Sequence, residues 1–270
     1  DTCGTGGDGL HTVNISTMVA LVIATSGAKV FKHGNRAASS KSGSADVLEA
    51  LGISLNVTNE TLLESARRAN IAFLFAQHFH PLLRYVAAIR RELGFRTIFN
   101  FLGPLANPAR PNTQIVGVSD RTMAEVIATS LARRGVRSMV IRGLDGLDEV
   151  SIAGPTEIWV NQDGTDKVEC FEISPETFGE KPSSLELIRG GDAQHNAQTL
   201  ISMAKGSASD AIHSAVAMNA ACALSIIDSH SSVAEDLEAA LSSNYRIAQD
   251  IIHSGTVFET LEVWRDIQRI

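Results

Sequence analysis

The spacing of apolar and polar positions predicts a helix over about Ser16–Thr25, a strand at Ala28–Phe31, and helices over about Ser44–Leu51 and Glu60–Asn70. In "HPLLRYVAAIRRELG" the apolar Leu82, Leu83, Val86, Ala87, Ile89 and Leu93 recur at helical spacing, with Arg84, Arg90 and Arg91 between them. "TQIVGVS" and "SMVIRG" read as strands flanking the helical pattern "DRTMAEVIATSLARRG", which makes a βαβ unit. "EIWVNQ" and "KVECFEI" read as a hairpin around "DGTD". Beyond Asp192 the pattern is almost wholly helical, through "DAIHSAVAMNAACALSIID" and "VAEDLEAALSSNYRIAQDIIHSG". The expected fold class is α/β, a mostly parallel sheet flanked by helices. "FNFLGPLANPARP", with three prolines, reads as an ordered connector and a hinge between two lobes.

Composition narrows the class without naming a function. A chain of 270 residues, 44% hydrophobic and 20% charged, makes one large domain, alone or with a small companion. A net charge of -7 and a pI near 5.6 speak against neutralising nucleic acid phosphates or coating an acidic membrane. Cys3, Cys170 and Cys222 have neither CxxC nor Cys/His ligand spacing, so no disulfide framework or zinc site is expected and a reducing cytoplasm fits. No apolar run reads as long enough to span a bilayer, and no signal peptide pattern is present. The chain opens inside a glycine loop, "DTCGTGGDG", from which more chain is expected before Asp1 in the native protein.

Three polar clusters fall at strand ends and helix starts, where α/β proteins keep their ligands. In "GTGGDGLHTVNIST", Gly4, Gly6 and Gly7 let main-chain N–H groups approach an anion. Asn14, Ser16 and Thr17 follow at a helix start, which favours phosphate. A tight turn with a capped helix is the alternative. Asp8, beside such phosphates, calls for a cation or a ribose hydroxyl. In "KHGNRAASSKSGSADVLEALG", Lys32 offers a point charge, Asn35 an amide and the serines hydroxyls, a set suited to a polyphosphate. The alternative there is a solvated loop. In "GLDGLDEVS", Asp148 and Glu149 sit just after a strand, where two carboxylates suit Mg2+ and a solvated acidic turn is the alternative. His33, His78 and His80 read by default as packed or hydrogen-bonded. Arg90 reads as either a solvated arginine or a planar partner for a carboxylate.

Taken together, "GTGGDG", "NIST", "KHGNRAASSKSGSADVLEALG", "FHPLLRYVAAIRRELGFRTIFNFLGPLANP", "DEVS", "GGDAQHNAQ" and "HSAVAMNAA" resemble the anthranilate phosphoribosyltransferases of tryptophan biosynthesis. The resemblance implies transfer of the phosphoribosyl group from 5-phosphoribosyl 1-diphosphate to the amine of anthranilate, with Mg2+ and release of diphosphate. It implies that Gly4, Gly7, Asp8, Thr12, Asn14, Ile15, Ser16, Thr17, Lys32, His33, Gly34, Asn35, Arg36, Ala37, Ala38, Ser39, Ser40 and Ser44 line the phosphoribosyl diphosphate site. Ser16, Asp148 and Glu149 would hold magnesium. Gly4, Asn35 and Arg90 would meet anthranilate, with His33, His80 and Pro104 as further walls. Family members begin with helices that are absent here, so the resemblance implies an α/β domain of residues 1–76 and 108–270, with 77–107 as hinge and remnant of a small helical domain. It further implies a cytoplasmic homodimer for the full-length protein, no nucleic acid partner and no membrane. No general base stands out. The alternatives are a pyrimidine nucleoside phosphorylase of the same fold group, against which Asp148, Glu149 and "KHGNR" speak, and a nucleic-acid-binding relative, against which the acidic balance speaks.

Overall fold

The computed structural model describes residues 1–37, 40–82, 85, 98–161, 167–227 and 236–269. A five-stranded sheet has the order β1 (Thr2–Gly4), β4 (Thr113–Gly117), β5 (Arg137–Gly143), β6 (Thr156–Asn161), β7 (Glu169–Ile173). Its first three strands are parallel, and the β6–β7 hairpin adds antiparallel, as the sequence pattern implied. A separate parallel pair joins β2 (Val30–Gly34) and β3 (Ile71–Phe75).

Alternation along the strands sorts side chains onto the two faces of the large sheet. Ile115, Met139, Ile141, Ile158 and Val160 join one core, with α1 (Ile15–Thr25) and the helix Asp210–Ile227. Val116, Val140 and Trp159, one residue out of phase, join a second core against the βαβ helix Arg121–Arg133. That helix starts where Asp120 caps it, its carboxylate accepting from Met123 N–H at 2.9 Å. α2 (Ser44–Ala50) and α3 (Asn59–Arg68) lie near their expected positions, and Thr58 caps α3. A single turn, α4 (Ala76–Phe79), follows β3. With Arg121–Arg133 as α5, the C-terminal helices are α6 (Ala193–Ala204), α7 (Asp210–Ile227), α8 (Leu237–His253) and α9 (Thr256–Ile267).

Several expectations are corrected. β1 lies inside what reads as a glycine loop, and β2 runs two to three residues later than expected, so Lys32, His33 and Gly34 are strand residues. β3 was not anticipated: "IAFLF" is buried at every position and has no alternation to reveal it. α7, at 18 residues, is long and apolar enough to cross a membrane by length and composition, contrary to the sequence reading, yet 78% of it is buried inside the fold. Of the helix expected over "HPLLRYVAAIRRELG" (80–94), residues 83, 84 and 86–94 lie outside the described residues. The described part of the connector packs on the α/β body. Phe101 enters the second core, and the Asn107 amide donates to Phe31 O at 2.8 Å and to Asp1 Oδ2 at 2.7 Å.

Candidate active site

Parallel strands end with their carbonyl edges on one side of the sheet, and there Gly4 of β1 pairs with Gly117 of β4. The chain after β5 folds back over this pair. A Cβ on Gly4 would lie 2.4 Å from Asp148 Oδ2, and one on Gly117 would lie 1.5 Å from the Asp148 carbonyl oxygen. Only glycine permits so close an approach.

Asp148 Oδ2 accepts the Gly6 N–H at 2.6 Å, where Gly6 has a φ of 65°. The Asp148 carboxyl is pushed up to about 6, first by burial and then by the negative charge of Asp8 beside it. Burial and then the Asp148 charge push the Glu149 carboxyl well above the usual range, against the pull of Lys32 and of the Ser16 N–H at the start of α1. The sequence reading left an exposed acidic turn open as an alternative. The structure corrects it: Asp148 is 9% exposed.

Lys32 was expected to offer its charge to a polyphosphate. Its side chain is instead 1% exposed, and its ammonium donates to the Thr2 carbonyl at 2.5 Å and to Ser16 Oγ at 3.2 Å. Burial lowers it to about 8. Ser16 therefore joins the glycine loop to Lys32: its hydroxyl accepts from Lys32, and its carbonyl accepts the Thr2 hydroxyl at 2.9 Å.

Ile15 and Thr17, expected at the ligand, point their side chains into the core at 1% and 0% exposure, and the Thr17 N–H is bonded to Asn14 O. Thr12 bridges antiparallel to Arg189, and the Asn14 amide donates to Ser42 O at 3.3 Å. Asn14 so joins the glycine loop to the serine-rich loop.

The serine-rich loop crosses itself. A Cβ on Gly43 would lie 2.5 Å from the Ala37 nitrogen, and one carboxylate oxygen of Asp46 accepts N–H groups from both Ala37, at 3.0 Å, and Gly43, at 2.9 Å. Arg36, expected at the phosphates, is engaged by Asp46 and Glu49 and lies 5.6 Å above the Phe75 ring. Ser40 is exposed and donates to Ser42 O; Ser44 lies against Gly34, where a Cβ would meet its hydroxyl at 2.9 Å. Asp46 was missed in the sequence, although an acidic residue three positions after Gly43 at a helix start is a capping signal. Ala38 and Ser39 lie outside the described residues, as does Arg90.

Next to Lys32 on β2, His33 donates its backbone N–H to Asp1 Oδ1, and its ring Nδ1 is 3.3 Å from Gly103 O. Burial lowers His33 to about 4, so the ring is neutral at pH 7. The His80 ring stands edge-on to it, with centroids 5.2 Å apart, and is fixed by Ala106 O at 2.8 Å. His78 stands edge-on to Phe75. Pro104 is buried, its carbonyl accepting from Gln114 at 2.9 Å. Asn35 is exposed, and its Oδ1 accepts from Arg36 N–H at 2.8 Å and from Gln77 at 3.4 Å.

Among the described residues no three His, Cys, Asp or Glu side chains form a metal cage. Asp8, Asp148, Glu149 and the Ser16 hydroxyl are hard oxygen donors, and the two raised carboxyls are buried beside further negative charge. Such a set fits Mg2+, which binds through one or two carboxylates together with phosphates and water.

Residues 1–258 match the family described as glycosyl transferase family, a/b domain. The anthranilate phosphoribosyltransferase of Arthrobacter sp. (strain FB24) is 46% identical over 271 residues, covering 100% of this chain and 75% of the relative. That of Streptomyces griseus is 47% identical, covering 98% and 73%. Among solved structures, the anthranilate phosphoribosyltransferase of Thermus thermophilus superposes with a TM-score of 0.90 at 37% identity, over 100% of this chain and 78% of that one. The Saccharomyces cerevisiae enzyme, solved in complex with PRPP and Mg, gives 0.87 at 31%, over 99% and 72%. The chain therefore belongs to the anthranilate phosphoribosyltransferases, within the glycosyl transferase family.

Proposed function

We propose that this cleft joins the amine of anthranilate to C1 of 5-phosphoribosyl 1-diphosphate and releases diphosphate, the step that serves tryptophan biosynthesis. The observation that carries the reading is the convergence of Asp8, Asp148, Glu149 and Ser16 at the joined ends of β1 and β4, beside the glycine loop. In this reading Ser16, Asp148 and Glu149 hold magnesium, with Asp8 close by. When bound, the ion neutralises charge that builds on the leaving diphosphate.

The chain's own residues bind and orient. The loop from Gly4 to Asn14 takes the phosphates from one side, and the loop from Asn35 to Ser44 takes the diphosphate and ribose from the other. Lys32 acts from behind, fixing Ser16 and offsetting Glu149 rather than touching phosphate. Asn35 and Arg90 orient anthranilate, and His33, His80 and Pro104 wall its path. The attacking aromatic amine is neutral at pH 7, so orientation can supply much of the rate and a strong base is not required. His33, neutral and buried, adds no positive charge to that path. Residues 77–107 serve as hinge and part of a small helical lobe, and the full-length protein works as a cytoplasmic homodimer.

The test is loss of anthranilate fluorescence on mixing this chain with anthranilate, phosphoribosyl diphosphate and Mg2+. The reading requires that loss to depend on all three; fluorescence that stays constant with all three present contradicts it.

A further inference from the structure

Asn196, on the first turn of α6, has no place among the site residues above, yet it is 2% exposed and uses both ends of its amide. Its Oδ1 accepts the Gly191 N–H at 2.8 Å. Because a backbone N–H only donates, this bond fixes which end of the amide is oxygen. Nδ2 is therefore the atom that donates to Asn14 Oδ1 at 2.9 Å. That in turn fixes the Asn14 amide, whose Nδ2 is left to donate to Ser42 O at 3.3 Å. Gly191, Asn196, Asn14 and Ser42 form one chain of hydrogen bonds with a single direction.

The surrounding backbone is built for this contact. Gly190 donates to His11 O at 2.8 Å, and Val13 donates to Ile188 O at 3.0 Å, so the segment before α6 lies along the glycine loop as a short antiparallel bridge. A Cβ on Gly190 would lie 2.6 Å from Thr12 O and 3.0 Å from Asn196 Oδ1, so only glycine lets the two segments meet. Buried amides satisfied at both ends specify geometry, because any rotation leaves polar atoms unpaired.

We propose that Asn196 is a positioning residue for the phosphoribosyl diphosphate site: it sets the Asn14 amide and thereby clips the glycine loop to the serine-rich loop. The proposal rests on the function proposed above for the two loops, but the clip itself is a property of the free protein.

The test is Asn196→Asp. The variant keeps an oxygen for the Gly191 N–H and removes the donor to Asn14. Amide hydrogen exchange in the unliganded protein should quicken in residues 12–14 and 40–43 and stay at the parent rate in β4 and β5. KM for phosphoribosyl diphosphate should rise about tenfold or more, the scale of one lost buried hydrogen bond, with KM for anthranilate unchanged. In an Asn14→Ala background the same substitution should add nothing, because the bond it removes is already gone. The introduced carboxyl can donate when protonated, so its defect relative to the parent should shrink as the pH is lowered. If Asn196→Asp does not fold, Asn14→Ala alone must quicken exchange in 40–43. Unchanged exchange, or an equal loss for both substrates that persists in the Asn14→Ala background, overturns the proposal. A parent chain that fails to bind phosphoribosyl diphosphate counts against the proposed function, and the exchange measurement still decides the clip.

Discussion

Gly117 and Asp148 touch main chain to main chain, so closely that a Cβ on Gly117 would overlap the Asp148 carbonyl oxygen at 1.5 Å. The floor of the site is thus a glycine at the end of β4, and the acidic pair is held at a fixed height above it. Gly117→Ala must push the 145–149 segment away. The expected outcome is a destabilisation of about 1–3 kcal/mol by thermal or urea unfolding, together with weaker Mg2+ dependence of activity. A variant with parent stability and parent Mg2+ response would show that the segment is free to shift.

The Asp148 carboxyl, raised to about 6 from the usual carboxylate value near 4, links stability to pH. The sign follows from proton binding: between about pH 4 and 6 the folded state holds more protons than the unfolded one, so stability without metal falls as pH rises through that range. Scans of Tm against pH without divalent ions should show this decline. Mg2+ should recover it above pH 6 and have little effect below pH 4. Asp148→Asn should lessen the decline, with Glu149 responsible for what remains, and leave the metal-free protein at least as stable as the parent at pH 7.

Asp46 ties both ends of the serine-rich loop through Ala37 and Gly43 and pairs with Arg36. Asp46→Ala leaves two backbone N–H groups without their acceptor and should cost about 2–3 kcal/mol. Limited proteolysis should then cut between 36 and 43, with phosphoribosyl diphosphate protecting the parent and much less the variant. Equal protection in both would remove Asp46 from the loop's support.

Much of the fold is legible in the sequence, for reasons that particular elements make plain. α3 and α5 carry capping residues and a one-sided apolar stripe, and the β6–β7 hairpin carries short apolar runs about a turn. β3 is a short run buried on every side, and β1 has three residues, so neither leaves a periodic signature. The site was legible as three polar clusters, but burial was not. Lys32 looks the same in sequence whether it meets solvent or Ser16, and Asp148 gives no sign of lying under a folded-back chain. Asp46 left a local capping signal at Gly43, but its bond to Ala37 and those of Asn196 are set by loops that cross, which no local pattern records.

In the proposed function Arg90 carries the choice of acceptor. Arg90→Ala should lower kcat/KM for anthranilate about ten- to a hundredfold, the scale of one charged hydrogen bond, while the apparent affinity for phosphoribosyl diphosphate changes little. Steady-state kinetics with each substrate varied in turn separates the two. An equal loss for both would place Arg90 in the shared scaffold.

The acidic pair acts through magnesium in this mechanism, and a Mg2+ titration of activity for Asp148→Asn with Glu149→Gln beside the parent tests that most directly. The amides are nearly isosteric and relieve buried charge, so the fold should persist. Turnover should fall by about two orders of magnitude or more at low Mg2+ and recover in part as Mg2+ is raised. Activity curves that superimpose would contradict the role of the pair and leave the ion to be held by diphosphate alone.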